Sequence, residues 1–256
     1  MKMWSIWRAP WRARLCLAAW LATSISAPAL AMNGGSSCEL NAGIRERPVP
    51  LPRLKRQLAR GTDVQILDYG PAFLRRLDDG ATDESYPALL QSSLRKSLLH
   101  SRINVDSHGG PGETVSAALG QIKADLAGEP PDYAVWRLGP DDALARTPVI
   151  KFEAAARQGI GLFRAAGVEV GVVGLPINDS LAEDAQYMAL ANALAALARD
   201  MGATYIPRLP IGLTGARADG LRLNTQDVGL TGYDFGYECL AEQIARSIVE
   251  GVRAAR

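Results

Sequence analysis

The chain has 256 residues, of which 48% are hydrophobic and 21% are charged. This length and composition are typical of a folded protein with a substantial core and exclude an intrinsically disordered chain. The formal net charge of +1 gives no electrostatic reason to expect a nucleic acid or an anionic membrane as partner.

Residues 1–31 have the organisation of a secretory signal peptide. Four basic residues and no acidic residue precede a short apolar run from Leu15 to about Leu21, and the segment ends in Ala29-Leu30-Ala31. A basic start, an apolar stretch and an A-x-A site predict cleavage after Ala31. An uncleaved anchor is the alternative, but the apolar run is shorter than the roughly 20 residues that span a bilayer.

Export would place the protein in the periplasm or outside the cell, where disulfides form. Cleavage would leave two cysteines, Cys38 and Cys239, and would change the net charge to −3. We expect these two cysteines to form one disulfide; two separate thiols are the alternative.

The rest of the chain divides into an N-terminal arm at 32–60 and a domain at 61–256. In the domain, short apolar runs alternate with amphipathic stretches of helical periodicity. The pattern predicts strands at 64–67, 103–105, 133–136, 168–173 and 204–206, and helices at 87–99, 115–126, 152–166, 181–201 and 237–252.

This alternation predicts a single α/β domain with right-handed crossovers and a parallel sheet of about five strands. The architecture expected is a flavodoxin-like, three-layer α/β/α sandwich. In such a sheet, functional residues lie in the loops after the carboxyl ends of the strands. We read these loops at residues 68–70, 107–113, 139–142 and 176–179, with a last loop that contains Asp227, Thr231 and Asp234.

Four segments of this sequence resemble the conserved blocks of the SGNH (GDSL-type) hydrolases, in particular their secreted bacterial members. Residues 131–141 resemble the third block, and residues 107–113 resemble the glycine loop of the second. Residues 85–90 resemble the start of the first helix of the family, and residues 230–241 resemble the last block. The resemblance covers residues 62–250.

The resemblance implies a five-stranded parallel sheet between helices, and acyl-transfer chemistry. In the family, a serine after the first strand attacks an ester, and a histidine in the last block activates it with the help of an aspartate three residues earlier. The oxyanion is held by the serine backbone, a second-block glycine and a third-block asparagine.

Most of this machinery is absent when the family positions are carried onto the chain. The nucleophile position falls on Gly70, or on Tyr69 if the alignment slips by one residue. Gly109 keeps the second-block donor, whereas the asparagine position falls on Asp141, whose carboxylate would repel an oxyanion.

The base is missing as well. The histidine position falls on Thr231 and the aspartate position on Val228, with Asp227 one residue out of register. The chain has no histidine after His108. Loss of the nucleophile or the base costs several orders of magnitude in rate, so these residues predict a hydrolase scaffold without the catalytic pair.

We therefore expect a binding protein that uses the inherited cleft and needs no cofactor. Carboxylate and amide groups suit sugar hydroxyls, which favours a glycan or an acylated component of the cell envelope as ligand. Each of these polar residues could instead be a helix cap or a solvated loop residue. The candidate ligand contacts are Asp68, His108, Gly109, Asp141, Asp142 and Asn178.

Two enzymatic alternatives stay open. In one, Asp68 and Asp141 act as a carboxylate pair, or Asp and His residues bind a divalent cation. In the other, the protein is a residual esterase in which Ser107 or Ser85 works with His108, although adjacent residues such as Ser107 and His108 rarely point at each other.

Overall fold

The computed structural model describes residues 47–70, 86–99, 101–177, 179–208 and 231–256, with backbone alone for 179–180 and 231–238. The elements are α1 (Pro52–Arg60), β1 (Asp63–Tyr69), α2 (Tyr86–Ser97), β2 (Arg102–His108), α3 (Val115–Ala127), β3 (Tyr133–Arg137), α4 (Pro140–Leu144), α5 (Val149–Ala165), β4 (Glu169–Val173), α6 (Asp179–Glu183), α7 (Ala185–Asp200), β5 (Thr204–Ile206) and α8 (Thr231–Ala254).

The five strands form one parallel sheet in the order β2-β1-β3-β4-β5. This confirms the predicted α/β fold with a five-stranded parallel sheet. Every residue of β3 is buried, because this central strand is covered on both faces. The chain reverses its direction of winding between β1 and β3, and such a switch point opens a crevice at the carboxyl ends of the strands.

Two apolar layers cover the sheet. One face carries residues of α1, α2 and α8, including Leu90, Leu94 and Ile244. The other carries residues of α3, α5 and α7, including Phe152, Phe163 and Leu194. Because side chains alternate along a strand, neighbouring residues of β1 and of β3 contribute to different layers.

The last part of the predicted N-terminal arm is a helix that packs on the domain. Leu51 and Leu54 are buried, and the Leu51 N–H donates to the carbonyl of Gly251 in α8. The carboxylate of Glu169, at the start of β4, accepts the backbone N–H groups of Arg53 and Leu54. Glu169 therefore accepts hydrogen bonds from the free N–H groups at the beginning of α1. These hydrogen bonds join the helix to the sheet.

The predicted helix at 181–201 is wrong in one respect, since the structure divides it into α6 and α7. Asp184 lies between them in an extended conformation, and its carboxylate accepts the N–H groups of Gln186 and Tyr187. Asp184 is therefore the N-cap of the long helix α7. The short helix α4 was also missed. Among the described residues, no helix has the length and apolarity needed to cross a membrane.

Two glycines of α5 allow a direct test of the packing between this helix and β3. A Cβ atom on Gly159 would lie 2.2 Å from the buried ring of Trp136, whereas a Cβ on Gly161 would meet nothing within 4 Å. Glycine within a helix costs about 1 kcal/mol relative to alanine. We expect Gly161→Ala to stabilise the protein by up to this amount.

Gly159→Ala should have the opposite sign and should destabilise the protein by about 1–3 kcal/mol, because the core would be overpacked. Urea unfolding of both variants measures the difference. A stabilising Gly159→Ala substitution would contradict the close contact between α5 and Trp136.

Candidate functional site

A buried ion pair joins the two strands at the switch point. Asp68 near the end of β1 has 0% exposed surface, and Arg137 at the end of β3 has 8%. The Nε of Arg137 donates to both carboxylate oxygens of Asp68 at 2.9 and 3.0 Å, and Nη2 donates to Oδ2 at 2.6 Å. This two-nitrogen contact fixes the guanidinium plane against the carboxylate.

Two further side chains complete what we call the Asp68 cluster: Asp68, Arg137, Tyr86 and Ser107. The Tyr86 hydroxyl donates to Asp68 Oδ1 at 3.3 Å, and Ser107 Oγ donates to Oδ2 at 3.0 Å. The Arg137 guanidinium lies 5.0 Å from the centre of the Tyr86 ring. The Asp68 cluster thus connects β1, β2, β3 and the start of α2.

The protonation of Tyr86 suits its role as a donor. Burial, and secondarily the neighbouring Asp68 carboxylate, raise the pKa of Tyr86 well above its ordinary value. The hydroxyl therefore keeps its proton and continues to donate to Asp68.

Asp142 has a different role at the same edge of the sheet. It is buried, and its Oδ2 accepts the N–H of Val115, the first residue of α3, at 2.9 Å. Burial raises the pKa of Asp142, and this backbone hydrogen bond opposes the rise. Asp142 therefore fixes the end of the glycine loop 109–112 at the point where α3 begins.

Asp141 and Glu113 are partly exposed carboxyl groups beside this loop. Burial raises the pKa of both, and the charge of Asp141 raises the pKa of Glu113 further, while Arg137 lowers it. The Oδ2 atom of Asp141 makes no hydrogen bond within the part of the chain that the structure describes. The third-block position of the family is thus occupied by a carboxyl group that retains its proton more readily than usual.

The approach of two backbone segments requires glycine at 70 and 109. Both residues have positive φ, of 150° and 138°. A Cβ on Gly109 would lie 2.0 Å from the Gly70 carbonyl oxygen and 2.8 Å from Glu113 Oε2. A Cβ on Gly70 would lie 2.5 Å from the Arg137 carbonyl oxygen. The loop after β2 is therefore held close to β1 and to Glu113.

His108 lies at the end of β2, on the opposite face from Ser107. Its Nδ1 is 2.9 Å from Asp125 Oδ2 of α3, and its ring meets the ring of Tyr69 edge-on at 5.9 Å. Ser107 instead contacts Asp68, on the α2 side of the sheet. Successive residues of a strand point to opposite faces, so these two side chains cannot form a catalytic pair.

The structure separates the predicted ligand contacts into two groups. Asp68 and Asp142 are buried and hold other parts of the protein, whereas His108, Gly109 and Asp141 keep exposed surface. Asn178 lies outside the described residues. Ligand binding by these residues stays a prediction, and the positions of Asp68 and Asp142 favour supporting roles for them.

The residues at the family positions for the nucleophile and the base do not form a catalytic pair in the described part of the chain. Tyr69 is a buried core residue of β1, and Gly70 is packed against Arg137, so a reactive group at either position would be inside the protein. Thr231 begins α8, and Val228 is outside the described part of the chain. No group of three or more metal-ligating side chains occurs within the residues that the structure describes.

Sequence reasoning missed three residues of this site: Arg137, Glu113 and Asp125. Arg137 carried a signal, because it is the one charged residue of an otherwise apolar strand. Glu113 belonged to the glycine loop but was given no role. Asp125 lies within α3, where nothing in the sequence distinguishes it from an ordinary surface carboxylate.

The Asp68 cluster predicts a large effect of Arg137→Met. This change leaves the Asp68 carboxylate buried without its cation, which costs about 3–5 kcal/mol of unfolding free energy. The double variant Asp68→Asn/Arg137→Met should recover part of this loss, because no charge is left unpaired.

Urea unfolding measures both effects, with Arg157→Met as the control. Arg157 pairs with Asp200 at the surface, where an ion pair contributes about 0–1 kcal/mol. Equal losses for Arg137→Met and Arg157→Met would contradict the structural role of the buried pair.

The raised pKa of Asp141 predicts a pH-dependent effect of Asp141→Asn. A carboxyl group with a pKa above its unfolded value of 3.8 stabilises the fold while protonated, and this contribution is lost as the pH rises through the folded pKa. The stability of Asp141→Asn relative to wild type should therefore increase from about pH 4 to about pH 7.

Asp184→Asn provides a control of opposite sign. Hydrogen bonds from the start of α7, that from Tyr187 N–H first, lower the pKa of Asp184. The relative stability of this variant should fall as the pH rises from about 2 to about 4, because folded Asp184 ionises below its unfolded pKa; urea unfolding at each pH measures both effects. A pH-independent Asp141→Asn difference would contradict the raised pKa of Asp141.

Comparisons with known proteins agree with this architecture. The family model described as the Non-GDSL lipase-like family matches residues 37–254. No curated protein matches the sequence.

Solved structures, two of them of esterases, have the same fold. The structure of TesA has a TM-score of 0.57 with 20% identity, over 72% of this chain and 97% of that chain. The psychrotrophic esterase EstA from Pseudoalteromonas sp. has a TM-score of 0.54 with 20% identity, over 72% and 96%. AlinE4, an SGNH-hydrolase family esterase, has a TM-score of 0.51 with 23% identity, over 64% and 85%.

At these identities the solved structures establish the fold, and the family match extends over most of the sequence. The resemblance to SGNH hydrolases that the sequence blocks predicted is confirmed. The chain belongs to the Non-GDSL lipase-like family and has the fold of the SGNH hydrolases.

Proposed function

We propose that this protein is an exported member of its family that binds an acylated glycan at the carboxyl edge of the sheet and has no serine-esterase activity. The observation that carries the proposal is the division of β2 between Ser107 and His108. Ser107 contacts Asp68 on one face, and His108 contacts Asp125 on the other. A serine esterase needs its serine and histidine in contact.

The chemistry of the exposed edge supports a hydroxyl-rich ligand. Asp141 and Glu113 have raised pKa values, so each can supply both an acceptor oxygen and, when protonated, a donor. A sugar hydroxyl also donates and accepts. The lipase-like description of the family supports an acyl group on the same ligand.

The Asp68 cluster fixes the position of a positive charge near this site. Because Arg137 is fixed by Asp68 and lies close enough to Glu113 to lower its pKa, a fixed positive charge is placed near the partly exposed Glu113 carboxyl group. The same charge disfavours a divalent cation at Asp68, so we do not favour the metal-dependent alternative. A carboxylate pair of Asp68 and Asp141 is disfavoured as well, since Asp68 is buried and ion-paired.

Export and a disulfide complete the proposal. The sequence of residues 1–31 supports a signal peptide, and the protein would then reach a compartment in which disulfides persist. Cys239 is buried in α8 and is disulfide-bonded. We propose Cys38 as its partner, although Cys38 lies outside the described residues, because Cys16 would be removed with the signal peptide.

Binding to acetylated xylan, and to the same xylan after deacetylation, tests the proposal. We expect Asp141→Ala to weaken binding of acetylated xylan about 10-fold or more, because leaving a desolvated hydrogen-bonding group without its partner costs about 1–3 kcal/mol. Isothermal titration calorimetry measures both affinities.

Glu129→Ala is the matched control, since Glu129 is an exposed carboxylate in the loop before β3, at the opposite end of the sheet. It should leave the affinity unchanged. Weaker binding of deacetylated xylan would support recognition of the acyl group. No binding of either polysaccharide, or equal binding by wild type and Asp141→Ala, would overturn the proposal.

A further inference from the structure

The pair formed by His108 and Asp125 has no place in the binding function proposed above. Asp125 Oδ2 contacts His108 Nδ1 at 2.9 Å, and its other oxygen accepts Gln121 Nε2 at 2.8 Å. The carboxylate is thus fixed by contacts with both α3 and β2. A carboxylate at Nδ1 places the imidazole proton on that nitrogen, so the lone pair of neutral His108 is on Nε2.

Tyr69 fixes the plane of the imidazole ring. Tyr69 is buried, and its ring contacts the His108 ring with an angle of 88° between the two planes. Burial raises the pKa of Tyr69 above its ordinary range, and Asp125 raises it further. Among the described residues, the contacts of the ring are therefore with the Asp125 carboxylate from α3 and the Tyr69 ring from β1.

The other ring nitrogen is available for chemistry. The His108 side chain is 34% exposed, and its Nε2 makes no hydrogen bond to any described residue. The next residue, Gly109, is exposed, and its backbone N–H also has no acceptor in the described part of the chain. A base and a hydrogen-bond donor therefore follow each other in the sequence at the carboxyl edge.

From this arrangement we propose that His108, positioned by Asp125, is a general base that activates water to hydrolyse an ester of the bound glycan. The inference rests on the acylated-glycan ligand proposed above. It places the base at the end of β2 and requires neither a serine nor a covalent acyl-enzyme.

The reaction balances without a co-reactant. His108 Nε2 takes a proton from water while the water oxygen adds to the acyl carbon. The carbonyl oxygen becomes negatively charged and accepts a hydrogen bond from the backbone N–H of Gly109. The intermediate then loses the sugar oxygen, which receives the proton from the His108 imidazolium. The products are a carboxylic acid and the free sugar hydroxyl.

Release of acetate from acetylated xylan by the purified protein tests the inference. Wild type should release acetate faster than buffer alone, in proportion to the protein concentration. His108→Gln should lower the rate at least 100-fold. Because Asp125 positions His108, Asp125→Asn should lower kcat at least 10-fold and leave KM unchanged. The control variant Glu129→Gln should behave as wild type.

The outcomes separate this inference from the proposed function. Xylan binding without acetate release would overturn the inference and leave the binding function intact, whereas absence of binding would remove both. If the pair only joins β2 to α3, the two variants would lower the unfolding midpoint without changing the rate, which would also overturn it. Loss of activity after treatment with a fluorophosphonate would indicate a reactive serine and would contradict the water mechanism.

Discussion

The ion pair between Asp68 and Arg137 is the interaction on which the carboxyl edge of this sheet depends. Two charges buried at the switch point would cost several kcal/mol each without compensation. The two-nitrogen contact, the Tyr86 hydroxyl and Ser107 Oγ supply that compensation. As a result, four elements are held in one arrangement at the place where related folds carry catalytic residues. The same cluster holds Ser107 Oγ at Asp68, on the face of β2 opposite to His108.

The two-residue repeat of β2 determines what chemistry remains. Ser107 faces the Asp68 cluster, and His108 faces α3, where Asp125 and Tyr69 hold its ring. The same repeat that gives the sheet two covered faces therefore separates a hydroxyl from a base that are adjacent in the sequence. Gly109 follows immediately, in a conformation that positive φ and the nearby Gly70 carbonyl restrict to glycine. A base and a backbone donor are consequently fixed together, without a nucleophilic side chain between them.

The fold could be predicted because it depends on patterns that are local in the sequence. The buried run of β3 and the apolar stripes of α2 and α8 were sufficient to predict a covered parallel sheet. The site depends on contacts between distant residues, and these could not be read in the same way. Asp68 and Arg137 are 69 positions apart, so nothing local indicated that the carboxylate at a loop tip would be buried and paired. Asp184 shows the same limit on a smaller scale: the helical periodicity continues through it, while its carboxylate accepts the first N–H groups of α7 and so separates this helix from α6.

The family position at residue 141 illustrates how burial changes the meaning of a substitution. An ionised aspartate would repel an oxyanion, and this repulsion is one of the sequence-based reasons to expect no hydrolysis by the family's mechanism. Burial favours the neutral form of both Asp141 and Glu113, and the charge of Asp141 favours the neutral form of Glu113 further. A neutral carboxyl group, like the asparagine amide, can donate a hydrogen bond to a carbonyl oxygen. Under the proposed binding function, protonated Asp141 would therefore donate a hydrogen bond to the acyl carbonyl oxygen, and this contribution to binding would be lost as the pH rises.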